Sequence, residues 1–350
     1  MLFALGSNGS GQLGIGHKED VNIPTPCLVP DGFQGSSVLS IKAGGNHTLL
    51  QMPGEVFAAG DNSNGCYTLI SRDSSNSDNH KFRVAAVSTG HCSATWEAST
   101  IVDNVDRVFT SGTGKKGELG HGEGVTELLE AKMVKNFPPS DHDESIVDLA
   151  ASMSHTVAVL LDGSVFGWGA GRKGQLGLPA LDSWTPRPID NIPFEVYRAV
   201  CGKEFTYLVG SPESGDHKII GSDKHSIISD APKTLPPWKD VGASWGSICV
   251  LLQSGEILSW GRNDHGQLAP PGIPKIKQIA VGSEHFVALT EDGRVISWGW
   301  GEHGNCGSPI DEAGDVKRRW NELSIEGEVT MLGAGCATTF IATADPVEWQ

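Results

Sequence analysis

The chain has 350 residues and a formal net charge of −16, with 45 glycines and 10 tryptophans, as tight turns and packed strand faces require. That charge argues against sequence-independent binding to phosphate backbones, and there is no apolar stretch of about 18 residues to span a membrane. The seven cysteines (27, 66, 92, 201, 249, 306 and 336) are odd in number and form no C-x-x-C pair, which suits reduced thiols inside the cell, in cytoplasm and nucleus.

The first predicted element is a strand from Leu2 into Gly6-Ser-Asn-Gly-Ser-Gly11-Gln12-Leu13-Gly14, a glycine-rich turn followed by Gln-Leu-Gly. A signal peptide is not expected, because losing about 15–30 residues would remove this element. Ala43-Gly-Gly-Asn-His47-Thr-Leu-Leu then enters a strand, Pro53-Gly54 marks a hairpin, and residues 60–68 repeat the opening turn loosely. Residues 70–81 are almost devoid of apolar side chains and read as a mobile insertion. The turn returns at 112–120 with Glu for Gln, and a long connector follows at about 121–146. Ala151-Ser-Met-Ser-His155 opens the next unit. Its residues 157–168 show two apolar strands joined by Asp162-Gly163, a strong sign of an antiparallel hairpin. The turn is nearly unchanged at 169–177 and 261–269, eroded at 221–229 and looser at 299–307. Lys317-Arg318-Arg319-Trp320 reads as a solvated connector, and residues 329–344 close the chain with two strands.

The lead glycines fall at 6, 60, 112, 169, 221, 261 and 299, with spacings of 54, 52, 57, 52, 40 and 38. Four short strands per unit at this period predict an all-β fold, a seven-bladed β-propeller of four-stranded blades. The first and last segments are half-units that together make one blade, so the ring closes by joining the N- and C-terminal strands, as one domain over 1–350.

Antiparallel blades place the turn after strand one and the turn after strand three on the same face. That face has short turns; the long insertions fall on the opposite side. Trp96 and Trp245 occupy first turns where other units carry small or polar residues. After the lead glycine stand Ser7, Asp61, Thr113, Ala170, Ser222 and Arg262, but then Trp300. Trp168, Trp260 and Trp298 precede lead glycines and are expected to pack between blades. Trp300 has no such explanation, and exposed aromatic anchors mark protein interfaces. Glu204, Glu284, Glu302 and His303 share the face and complete a candidate partner-binding set; the competing expectation is internal packing of large rings over the propeller mouth.

Catalytic and cofactor signatures are missing. The Gly-x-x-x-x-Gly phrase lacks the Lys-Ser/Thr of a phosphate-binding loop. His47, His155 and His285 recur at one repeat position, which favours a turn-bracing hydrogen bond over catalysis. His303-x-x-Cys306 offers two metal ligands but no second pair. The expectation is a non-enzymatic protein with no cofactor and no metal of its own.

Over nearly its whole length the chain resembles the regulator-of-chromosome-condensation repeat family. Trp298-Gly-Trp-Gly-Glu-His-Gly-Asn-Cys-Gly307, Gly335-Cys-Ala-Thr-Thr339 and the opening Gly6-Ser-Asn-Gly with Gly45-Asn-His47 are similar to its fungal alpha-tubulin-suppressor branch, which includes the killer-toxin-insensitivity type. The resemblance implies a heterodimer with the small CSL-type zinc or iron protein of diphthamide synthesis. It further implies support of diphthamide formation on elongation factor two and of Elongator-dependent tRNA wobble-uridine modification, without direct contact to nucleic acid or membrane. The generic family also permits guanine-nucleotide exchange on a Ran-like small GTPase.

Overall fold

The computed structural model describes residues 1–68, 80–140 and 145–344, so most of the expected 70–81 insertion lies outside the described residues. The architecture is all-β and antiparallel. The chain begins with β1 (Leu2–Gly6) and β2 (Val21–Pro26). One sheet then holds β3 (Ser40–Ala43), β4 (His47–Met52), β5 (Gly54–Gly60), β6 (Arg83–Ala94), β7 (Ala98–Asp103), β8 (Val108–Thr113) and β9 (Glu127–Met133) in chain order. The next holds β10 (Ile146–Ser152), β11 (His155–Leu160), β12 (Val165–Gly169) and β13 (Ser183–Pro188). Two three-stranded sheets follow, β14 (Arg198–Cys201), β15 (Phe205–Val209) and β16 (His217–Gly221), then β17 (Trp238–Ala243), β18 (Ser247–Leu252) and β19 (Ile257–Gly261). A four-stranded sheet of β20 (Ile276–Val281), β21 (His285–Thr290), β22 (Val295–Trp300) and β23 (Asp315–Leu323) precedes β24 (Val329–Ala334) and β25 (Thr338–Thr343). These last two strands join the first two in the order β2-β1-β25-β24, with Leu2 opposite Ala342 and Gly6 opposite Thr338.

The long strand β6 serves two units. Its first half pairs with β5 and its second with β7; Ser88, at φ +56°, sits at the change. Two sheets depart from the expected four strands. After β16 and β19 the chain runs through residues 222–237 and 262–275 to the next inner strand, and these segments carry Pro232, Pro236, Pro237 and Pro270, Pro271, Pro274. Proline alone does not exclude an outer strand, since β2 and β13 carry two prolines each and still pair on an edge, but in these two segments no outer strand forms. The lead-glycine spacing contracts to 40 and 38 at these same two units. Residues 317–320 also differ from expectation: they lie inside β23, bulged at Arg318 (φ +57°), and Arg319 donates to Asn321 and to the Pro309 carbonyl.

The repeat phrase is explained by geometry that recurs at every copy. All seven lead glycines have φ between +101° and +125°, where a side chain is strained. An added Cβ would also lie 2.2–2.6 Å from a carbonyl oxygen of the turn between the first two strands, Ser154 in the case of Gly169. The next amide donates to that same carbonyl, from Ser7 to Ala337 through to Trp300 to Glu284, at 2.7–2.9 Å. Gln12, Gln175 and Gln267 each accept the amide two residues upstream at 2.9 Å, and Glu118 substitutes for Gln by accepting the Lys116 amide. One turn now links strand three to strand one-two of its own unit and is closed by its own side chain.

Between sheets the core is apolar, and the tryptophans before lead glycines sit there as expected. Trp168, Trp260 and Trp298 are buried and donate Nε1–H to the Glu118, Ile227 and Gln267 carbonyls of the preceding unit at 3.0, 2.8 and 3.1 Å. The recurrent histidines also act between units, not within their own turns. His47, His155 and His285 place Nε2 2.9–3.0 Å from the Ser99, Thr206 and Thr339 hydroxyls of the following unit. Thr206 and Thr339 give their own hydroxyl protons to the Gln175 and Asn305 carbonyls, so the imidazole Nε2–H is the donor there. Burial lowers all three histidines to about 4, so they are neutral braces.

Candidate functional site

The inner strands of seven successive segments (β3, the second half of β6, β10, β14, β17, β20 and β24) line a central cavity of about 360 Å³. Ala43, Ala94, Ala243 and Gly333 put little side-chain bulk into it, and Arg198 and Asp240 form an ion pair near the end opposite the first turns. Trp96 and Trp245 stand at the mouth formed by those turns. Their ring centroids are 5.9 Å apart with planes tilted by 47°, and both side chains are half-buried. Trp96 lies flat against Gly45, where a Cβ would come within 2.6 Å of the indole. The surrounding turns are stitched together: Gly45 donates to the Trp96 carbonyl, Trp96 to Met153, Lys203 to Trp245, Trp245 to Ser283 and Ser283 to Gly335.

Trp300 ends β22 on the same face. Ser283 and Glu284 connect it to the mouth, since Ser283 receives the Trp245 amide and Glu284 the Trp300 amide. Two imidazoles flank the half-buried indole, His303 at 5.3 Å and nearly perpendicular, His265 at 6.3 Å. Each is held through Nδ1 by a carboxylate, Asp20 at 2.8 Å for His303 and buried Asp315 at 2.9 Å for His265. Lys317 closes on the other oxygen of Asp315 at 2.6 Å.

The four polar residues of the expected set have different surroundings. Glu302 is exposed and His303 half-buried beside Trp300. Glu204 is half-buried, with its carbonyl engaged by the Ser222 amide. Glu284 is only 4% exposed, and its two oxygens take the Arg262 guanidinium and the Gln267 amide. Its carboxylate therefore faces the chain and holds Arg262 at the surface. Arg262 also grips Asp264; burial works to raise that carboxyl, but hydrogen bonds from Arg262 and Gln267 outweigh it and hold it well below the usual range.

Four residues of this face stand outside the expected partner-binding set: Lys203, whose ammonium lies 5.0 Å from the Trp245 ring centre, Arg262, which the sequence placed on the face without a role, His265 and Asp20. A signal for His265 was present. It stands four residues after its lead glycine, as His303 and His225 do after theirs. Among the described residues no group of three or more His, Cys, Asp or Glu is arranged to hold a metal ion.

Comparison with known proteins matches the model of the RCC1-like domain to residues 1–341. A fission-yeast (Schizosaccharomyces pombe) RCC1 repeat-containing protein is 30% identical over 298 residues, covering 77% of this chain and 78% of that protein. The mouse secretion-regulating guanine nucleotide exchange factor is 26% identical over 295 residues, covering 77% of this chain but 61% of its own length. Among solved structures, Prp20p of Saccharomyces cerevisiae superposes with a TM-score of 0.80 at 21% identity, covering 99% of this chain and 92% of that one. An all-β chain with the repeated glycine turn and a family match over almost its full length belongs to the RCC1-like domain family.

Proposed function

We propose that this chain is a single-domain, seven-bladed propeller whose ring closes through the sheet β2-β1-β25-β24, and that it is a non-enzymatic docking scaffold. Support for seven blades comes from the seven equivalent lead glycines and from the seven inner segments around the cavity; the seven-stranded sheet is then two blades sharing β6. In this reading the turn face binds a small CSL-type metal protein in the cytoplasm and nucleus, and the pair serves diphthamide synthesis and Elongator-dependent tRNA modification. The observation that carries the docking face is the half-buried Trp96–Trp245 pair at the cavity mouth, continued through Ser283 and Glu284 to Trp300. Large rings left partly open on a polar face are the usual anchors of a protein interface.

Copurification with the small metal protein tests this. Wild type is expected to retain it, and Trp245→Ala with Trp300→Ala to release it, since two anchor truncations weaken binding by about a hundredfold or more. Undiminished capture by a folded double variant would leave the rings as packing over the mouth. The competing reading is nucleotide exchange on a Ran-like GTPase, suggested by the name of the mouse relative. It requires faster nucleotide release from the purified GTPase when this chain is added.

A further inference from the structure

Three successive units carry basic pairs at the third and fourth residues after the lead glycine: Lys115-Lys116, Arg172-Lys173 and Lys224-His225. The corresponding residues are Gly9-Ser10 and Ser63-Asn64 in the two units before them, and Asp264-His265 and Glu302-His303 in the two units after. Lys116 and Lys173 share one backbone arrangement with Ser10 and His265, each amide donating to the Glu or Gln two residues on. Lys224-His225 follow the lead glycine at the same distance but sit in a 3₁₀ turn with His225 at φ +62°, so the third pair shares the turn and not its backbone. All six basic side chains are exposed.

Charge pairing inside the chain leaves most of this arc unsatisfied. Arg172 meets Asp182 at 2.7 Å, but Lys115, Lys116, Lys173 and Lys224 have no ion-pair partner among the described residues. The neighbouring acids are committed to the turns: Asp223 accepts the Ile228 and Ser229 amides, Glu97 the Thr113 hydroxyl and Glu118 the Lys116 amide. Lys203 lies between this arc and the mouth, over the Trp245 ring. A concentration of unpaired cations on a chain of net charge −16 runs against its overall field.

We propose that the arc from Lys115 to His225 recognises an acidic protein surface whose apolar residue seats against Trp245. This rests on the docking reading above and adds the chemistry of the partner's contact surface. A protein fits better than a nucleic acid. Glu97 and Glu204 border the arc, and the negative field of the whole chain repels an extended polyanion beyond the few residues of local contact. Steering by such an arc acts mainly on the association rate and fades as salt screens it.

The experiment compares wild type with Lys115→Glu/Lys173→Glu/Lys224→Glu by surface plasmon resonance. The small CSL-type metal protein, a twelve-residue Glu-rich peptide with one Phe, and a tRNA serve as separate probes. Wild type should associate with the metal protein about tenfold more slowly on going from about 50 to about 300 mM salt. The triple variant should lose that dependence and the peptide signal, with an unchanged thermal midpoint. Peptide binding that needs these lysines, without metal-protein binding, would support the acidic partner and remove only its named candidate. Metal-protein binding insensitive to both salt and the triple substitution would overturn the arc and keep the docking reading. Binding of tRNA at least as tight as the peptide, through the same lysines, would overturn it in favour of nucleic acid.

Discussion

Acidification from pH 6.5 to pH 4 is expected to cost this protein most of its folding stability, chiefly through His47, His155 and His285. In the folded chain, burial lowers each imidazole from an ordinary 6.5 to about 4. The unfolded chain takes up these protons below pH 6.5 and the folded chain does not until about pH 4, so the unfolded state binds more protons throughout that window. Stability is complete above pH 6.5, falls progressively to pH 4 and then levels off for these groups. Each histidine accounts for about 3 kcal/mol, and three together approach the roughly 5–15 kcal/mol of a typical folded protein. Carboxylates such as Asp264, held below their usual range, lose their contribution only at lower pH, below about 4. Urea midpoints measured across pH 4–7 check this. His285→Gln keeps an N–H toward Thr339 and should flatten the slope by about one proton; a slope equal to wild type would mean that His285 titrates normally in the fold.

Gly169→Ala is expected to lower stability by about 3–5 kcal/mol, more than any single surface substitution. Two costs combine. The backbone sits at φ +101°, and the new Cβ would lie 2.4 Å from the Ser154 carbonyl oxygen. That oxygen cannot yield easily, because it accepts the Ala170 amide at 2.7 Å. Gly293→Ala separates the two effects, since Gly293 has φ +89° with nothing within 4 Å of its Cβ position. Its cost should be about 1 kcal/mol. Equal denaturation midpoints for the two variants would show that the carbonyl contact carries no weight.

Much of the architecture was readable because its causes are local. A turn that needs positive φ and close carbonyl approach admits glycine in every copy, so the period is visible without any knowledge of contacts. The tryptophans before lead glycines were likewise legible, as one strand position with one environment. The missing outer strands after β16 and β19 left a trace in the shortened spacing, but four strands were still expected, because a short segment does not reveal whether it pairs. Lys317-Arg318-Arg319-Trp320 misled for the opposite reason: a charged run resembles a loop, yet the outer strand of a sheet is half solvated and tolerates it.

The candidate face was legible by position and not by partner. Repeat alignment put Trp96, Trp245 and Trp300 on the short-turn side, yet whether an acid there faces solvent depends on neighbours far away in sequence. Glu284 is taken by Arg262 and Gln267, whereas Glu302, one unit-turn away, stays exposed.

By itself the sequence determined the repeat, the turn chemistry and the face each turn occupies, since spacing and backbone sterics suffice for these. Tertiary structure alone decided the contacts between units: Trp96 against Trp245, Asp20 on His303, Asp315 on His265, and the three histidines reaching the next sheet. Those pairs are brought together by the packing of separate sheets, and no local propensity encodes which distant side chain will fill the space beside them.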